Sequence, residues 1–85
     1  MKVLYFAWLR TKVGCGEEDV SPPAGIVTVG ALIDWLKRQS PGHADALADL
    51  RLVRVAVNQD HVGLEHRVAA GDEVAFFPPV TGGGR

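Results

Sequence analysis

Apolar residues crowd the start of the chain. Over residues 2–9, Val3, Tyr5 and Ala7 fall on one side of an extended backbone and Leu4, Phe6 and Trp8 on the other. Both sides carry large apolar groups, which predicts a strand in a sheet interior, or one with a face on the core and a face on a partner. Gly14, Cys15, Gly16, Glu17, Glu18 and Asp19 then read as a turn, and a short second strand is expected near Asp19–Ser21. Pro22, Pro23 and Gly25 form a loop. Thr28 stands before Val29, Leu32, Ile33 and Leu36, whose spacing of three and four residues predicts a helix with Thr28 as its N-cap. Lys37 and Arg38 suit the negative end of that helix, and Ser40-Pro41-Gly42 stops it.

Residues 43–50 have room for one further helical turn. Val53, Val55 and Val57 alternate with Arg54 in a third strand over Leu52–Val57, expected to lie against the first. Asn58, Gln59 and Asp60 turn the chain into a brief extended segment at His61 and Val62. Gly71 and Asp72 turn it again into a last strand, Glu73–Phe77. The order is two strands, one main helix, then two or three strands. This is an α+β chain with the ubiquitin-like β-grasp arrangement, a mixed sheet packed on one main helix, with the first and last strands as central neighbours. The expected division is a β-grasp domain over residues 1–80 and a flexible glycine-rich tail over 81–85.

Composition narrows the function. At 85 residues the chain is one small domain, burying about 60–65% of what its unfolded form exposes. With 47% apolar residues and 22% charged it is built to fold. The net charge of −1 leaves no basic stripe for nucleic acid or anionic lipid, so neither is an expected partner. The N-terminal apolar run is too short to span a membrane and no small-residue cleavage site follows it, which points to the cytoplasm. One cysteine, Cys15, makes no internal disulfide, and it has no histidine near it in sequence to serve as a nucleophile's base. His43, His61 and His66 lack metal-ligand spacing, so no metal is expected, and Glu17-Glu18 reads as a solvated turn.

The chemistry concentrates at the end. Pro78-Pro79-Val80-Thr81-Gly82-Gly83-Gly84-Arg85 begins stiff and becomes thin. Its seven residues from Pro79 reach up to roughly 23 Å if extended, and glycines let a backbone enter a narrow channel with no Cβ to clash. Taken alone, such a terminus is equally the mark of a frayed end.

Three stretches carry a resemblance that covers the whole chain: Lys2-Val3-Leu4-Tyr5-Phe6-Ala7, Val55-Ala56-Val57-Asn58-Gln59, and above all Gly71 through Gly83. The sequence resembles the small-subunit family of molybdopterin synthase, sulfur carriers of molybdenum cofactor biosynthesis. The resemblance implies that a ubiquitin-activating-like enzyme, using ATP, adenylates the terminal glycine and converts it to a thiocarboxylate. That group then donates sulfur to cyclic pyranopterin monophosphate inside the large synthase subunit. Two small subunits would sit at opposite ends of a large-subunit dimer, and the carrier itself would bind no cofactor and hold no catalytic base.

By register the terminal diglycine falls on Gly82 and Gly83, so Gly83 would carry the sulfur. Gly84 and Arg85 extend past that point. Either both are trimmed, or only Arg85 is lost and Gly84 carries the sulfur, or the form is inactive. The resemblance further implies partner contacts at Phe6, His61 and Phe77, a polar rim contact at Arg10, and contacts along Pro78, Pro79, Val80 and Thr81. Core packing competes for Phe6 and Phe77, and an ordinary surface turn for His61. Two other readings stand beside this one: a thiamine-pathway sulfur carrier, against which Phe76-Phe77-Pro78-Pro79 argues, and a ubiquitin-like module or modifier with no sulfur chemistry.

Overall fold

The structure, a computed structural model, describes residues 1–79. Five strands form one mixed sheet: β1 (Lys2–Tyr5), β2 (Glu17–Asp19), β3 (Arg54–Val57), β4 (Asp60–Val62) and β5 (Glu73–Phe77), in the spatial order β2-β1-β5-β3-β4. Strand β5 runs parallel to β1, with Tyr5 opposite Phe76, and antiparallel to β3, with Val55 opposite Phe76. The first and last strands are central neighbours, as expected. The third strand is not beside the first: β5 lies between them. Val53, Val55 and Val57 do share the buried face, and Arg54 is exposed.

Three helices cover one face: α1 (Trp8–Val13), α2 (Val29–Lys37) and α3 (Pro41–Ala46). The core joins Val3, Tyr5, Val74 and Phe76 of the central strands to Leu9 of α1, to Leu32, Ile33 and Leu36 of α2, and to Leu47 just past α3. Helix α2 is the expected one, and Thr28 caps it by accepting the Ala31 N–H at 3.2 Å. Ser40 does more than end α2. Its hydroxyl accepts the His43 N–H at 3.1 Å, and Pro41 occupies the first turn of α3, where its missing N–H costs nothing.

Helix α1 replaces the second half of the expected first strand. The strand stops at Tyr5 because Ala7 adopts φ 56° and ψ −134°, which turns the chain into the helix. Leu9 then reaches full burial, and Gly14 closes the helix at φ 99°, its N–H donating to the Arg10 carbonyl at 2.9 Å. Trp8 accordingly does not share a strand face with Phe6. The second strand comes earlier than expected, at Glu17–Asp19, so Glu17-Glu18 is not a turn. Leu52 lies in a 3-10 turn (Leu50–Leu52) ahead of β3.

Glu18 has the largest structural role of the acidic residues near the sheet. Its Oε2 accepts the Tyr5 hydroxyl at 2.6 Å and meets His43 Nε2 at 2.7 Å, while His43 Nδ1 meets the Ser40 hydroxyl at 2.7 Å. Edge strand, central strand and α3 are thereby tied through one carboxylate. Tyr5 also stacks on Phe76, ring centroids 6.0 Å apart at 18°. Burial first, then the hydrogen bond to Glu18, pushes the Tyr5 phenol far above its ordinary pKa.

Candidate functional site

Strand alternation sends every second residue away from the helices. Leu4 of β1, Ala75 and Phe77 of β5, and Ala56 of β3 form the opposite face of the sheet. Ala75 lies opposite Leu4 on one side and Ala56 on the other, and Ala56 in turn lies opposite His61 of β4. All three helices pack on the other face, so this row carries no second layer among the described residues. Leu4, Ala75 and Phe77 are half-buried by their neighbours alone.

Phe6 continues the row beyond β1. Its N–H donates to the Phe76 carbonyl at 3.1 Å, and 49% of the residue is exposed, which decides between its two readings: it is not a core residue. Phe77 projects opposite to the fully buried Phe76, as expected for one of an adjacent aromatic pair. His61 lies in β4, the brief extended segment expected there, so the competing reading as a turn residue fails, and its ring packs on Phe77 with centroids 5.2 Å apart. Phe77 and His61 are therefore brought together, with Phe6 at the end of the neighbouring strand.

Arg10 sits one turn into α1, its N–H donating to Ala7 O at 3.1 Å. Its side chain lies over Gly16 so closely that a Cβ there would stand 3.2 Å from Nε. It makes no ion pair among the described residues. Arg10 thus lies on α1, two residues past the start of the helix that follows Phe6. Pro78 and Pro79 are half-buried where the chain leaves β5 in the middle of the sheet. Val80, Thr81, Gly82, Gly83, Gly84 and Arg85 lie outside the described residues.

Sequence reasoning placed Leu4 on the side of Phe6 but missed Ala75 and Ala56 as members of this face. Their signal was the alternation itself, since whatever lies two residues from Phe77 or Phe6 on a strand shares its side. The face is apolar at its centre and rimmed by Lys2, Glu73, Arg54 and Arg10, all exposed or half-buried. Such a surface suits a flat apolar partner with polar edges.

Two clefts, of about 430 and 220 Å³, open on the described surface, and neither is lined by Phe6, Phe77, Pro78 or Pro79. Among the described residues no group of His, Cys, Asp and Glu is placed to hold a metal ion, and no helix is long and apolar enough to cross a membrane. Cys15 is a half-buried free thiol.

Comparison with known proteins adds four findings. The ThiS family pattern matches residues 3–83. The molybdopterin synthase sulfur carrier subunit of Escherichia coli K12 is 48% identical over 83 residues, covering 98% of this chain and 99% of that one. Among solved structures, the small archaeal modifier protein SAMP1 of Haloferax volcanii superposes with a TM-score of 0.73 at 30% identity, covering 96% of this chain and 97% of that one. The complex of BexX and CysO from Amycolatopsis orientalis contains a chain matching at a TM-score of 0.72 and 28% identity, over 95% and 97% of the two chains.

Proposed function

The chain belongs to the ThiS family, and on that footing we propose that it is a sulfur carrier, serving as the small subunit of a molybdopterin synthase. The observation that carries this reading is its match, end to end, to the E. coli carrier subunit, at 48% identity. The family match also runs to Gly83, the position assigned to the reactive carboxyl.

In this mechanism the C-terminal glycine carboxylate attacks the α-phosphate of ATP on an activating enzyme, releasing pyrophosphate and forming an acyl adenylate. Hydrosulfide-level sulfur supplied by the loading enzyme displaces AMP, the C–S bond forming as the C–O bond to AMP breaks, which leaves a thiocarboxylate on the glycine. The tail then enters the large subunit, and its sulfur is transferred to cyclic pyranopterin monophosphate. The carrier contributes a thin reactive end and a surface for docking. Leu4, Ala75, Phe77 and Phe6 would supply the apolar docking contact, with His61 and Arg10 at its rim and Pro78 and Pro79 aiming the tail. No side chain of the carrier takes or gives a proton in the transfer.

Gly84 and Arg85 must be accounted for, because a glycine held in a peptide bond has no carboxylate to adenylate. Intact mass of protein recovered from its native cell tests this. A chain ending at Gly83 or Gly84, with one oxygen exchanged for sulfur, is the expected result. A chain still ending at Arg85 and carrying no sulfur overturns the reading for this form. It would favour a modifier or binding module, the second reading, which the likeness to SAMP1 supports. A thiamine-pathway role would instead show as binding to a thiazole synthase and not to the large molybdopterin synthase subunit.

A further inference from the structure

The loop between β2 and α2 and the segment before β5 enclose a cleft that the carrier role leaves unused. Its volume is about 430 Å³, and its lining includes Met1, Val20, Pro22, Ile26, Arg67 and Val68. That size lies within the range of small-molecule sites.

The walls are held in place by backbone hydrogen bonds. Val20 N–H donates to Met1 O at 2.9 Å, and the Met1 ammonium returns a bond to Val20 O at 3.1 Å. Ile26 N–H donates to Pro23 O at 3.0 Å and Val68 N–H to Val27 O at 3.0 Å, so the far walls are fixed as well. Pro22 and Pro23 stiffen the rim. A ligand would find this cleft already formed.

Its charge departs from that of the whole chain. The protein is slightly acidic, with a net charge of −1, yet no Asp or Glu lines the cleft, while Arg67 and the N-terminal residue do. Arg67 makes no ion pair among the described residues. Asp72, in the turn that follows, has both carboxylate oxygens engaged, one by the Asn58 side-chain amide at 3.1 Å and one by the Ala69 N–H at 2.8 Å. Ser21, also in the lining, makes no side-chain hydrogen bond among the described residues. The cleft therefore offers an apolar floor, an unengaged guanidinium and an unengaged hydroxyl.

We propose that this cleft binds a small amphipathic carboxylate, with its apolar body between Val20, Ile26 and Val68 and its carboxylate on Arg67 and Ser21. The site lies at the Met1 end of β1. The tail leaves from the opposite end of the parallel strand β5, about 13 Å away along a four-residue strand. Occupancy and tail delivery are thus compatible in one molecule.

The test is titration of the ¹⁵N-labelled full chain with 4-phenylbutyrate, followed by amide shifts, with 4-phenylbutan-1-ol and 4-phenylbutylamine in parallel. Saturable shifts centred on Val20, Ala24 and the 67–70 segment are expected, about tenfold weaker for the alcohol and absent for the amine. One charge-assisted hydrogen bond corresponds to roughly that factor. Arg67→Glu should abolish carboxylate binding and Arg67→Gln weaken it about tenfold, with the remaining spectrum unchanged, because Arg67 reaches its neighbour Thr28 through the backbone. Equal binding of acid and alcohol, an unchanged affinity in Arg67→Glu, or shifts confined to the Leu4 and Phe77 face would overturn the proposal.

Discussion

Raising the pH should unfold this protein through one residue. Tyr5 is 1% exposed, stacked on Phe76 and edge-on to His43, and its hydroxyl donates to the Glu18 carboxylate. Ionising it in place would bury a phenolate and set it against a carboxylate, so the folded protein holds the proton far above the ordinary range. In the unfolded chain the same phenol loses its proton near about pH 10. Above that pH the folded state binds one proton more than the unfolded state, and stability falls with pH. The stabilisation is complete below about pH 10 and erodes at up to about 1.4 kcal/mol per pH unit above it, reaching about 1.4 kcal/mol at pH 11. Denaturant unfolding of wild type and Tyr5→Phe from neutral to strongly alkaline pH isolates this contribution, since lysine titration is common to both. Wild type should show the extra slope and the phenylalanine variant should lack it. The chain has a single tyrosine, so its near-ultraviolet tyrosinate absorbance reports on Tyr5 alone. Tyrosinate appearing around pH 10 while the tryptophan circular dichroism stays native would refute the reasoning.

Three further outcomes are expected. At Gly42, in the first turn of α3, a Cβ would press into the Lys12 carbonyl oxygen and stand 3.4 Å from its carbon. Gly42→Ala should therefore cost about 1–3 kcal/mol in urea unfolding despite better helix propensity, whereas Gly25→Ala, with open space around it, should be neutral; similar stabilities would deny the close approach of α1 and α3. Ala7 occupies backbone space that favours glycine, so Ala7→Gly should raise the melting temperature, by the equivalent of up to about 1 kcal/mol, and a lower one would locate the turn elsewhere. Ala75→Arg places a charge at the centre of the open face. It should leave the unfolding midpoint within about 0.5 kcal/mol of wild type and weaken association with a large synthase subunit about a hundredfold by calorimetry; unchanged affinity would remove this face from the docking surface.

What could be seen in advance divides by the range of the interactions involved. Helix α2 was legible because its cap, its apolar spacing and its basic end all lie within a dozen residues. Strand β5 was legible for the same reason, bounded by Gly71-Asp72 and Pro78. Helix α1 was hidden: six residues are too few for a helix to hold by propensity, and burial of Leu9 against distant residues decides it. Glu18 looked solvated because its partner His43 stands 25 residues away. The misplacement of β3 beside β1 has a similar cause, since alternating valines specify a face but not a neighbour. In the candidate site, Phe6 and Phe77 were visible as aromatic positions, yet their exposure depended on which side the helices took. Ala75 and Ala56 were passed over because small apolar residues in central strands look like core until the side taken by the helices is known.

The two ways a sheet can receive a partner are treated differently in this molecule. Its edges are short and charged. Strand β2 presents Glu17, Glu18 and Asp19, and β4 begins with Asp60 and runs for three residues. Both features discourage pairing with an added strand. The uncovered face has the opposite character, with an apolar centre and a mixed-charge rim, and the chain departs for the tail from its middle strand. A partner engaging the chain through that face would contact Leu4, Ala75, Phe77 and Ala56 across three strands at once, and so would read the register of the sheet rather than one edge. Because β5 anchors both the face and the tail, docking there fixes where Pro79 points. A shift of the partner along an edge strand would offer no such constraint. Under the proposed function, face docking would couple recognition of the fold to the aim of the tail, and a strand-like peptide should not compete with it.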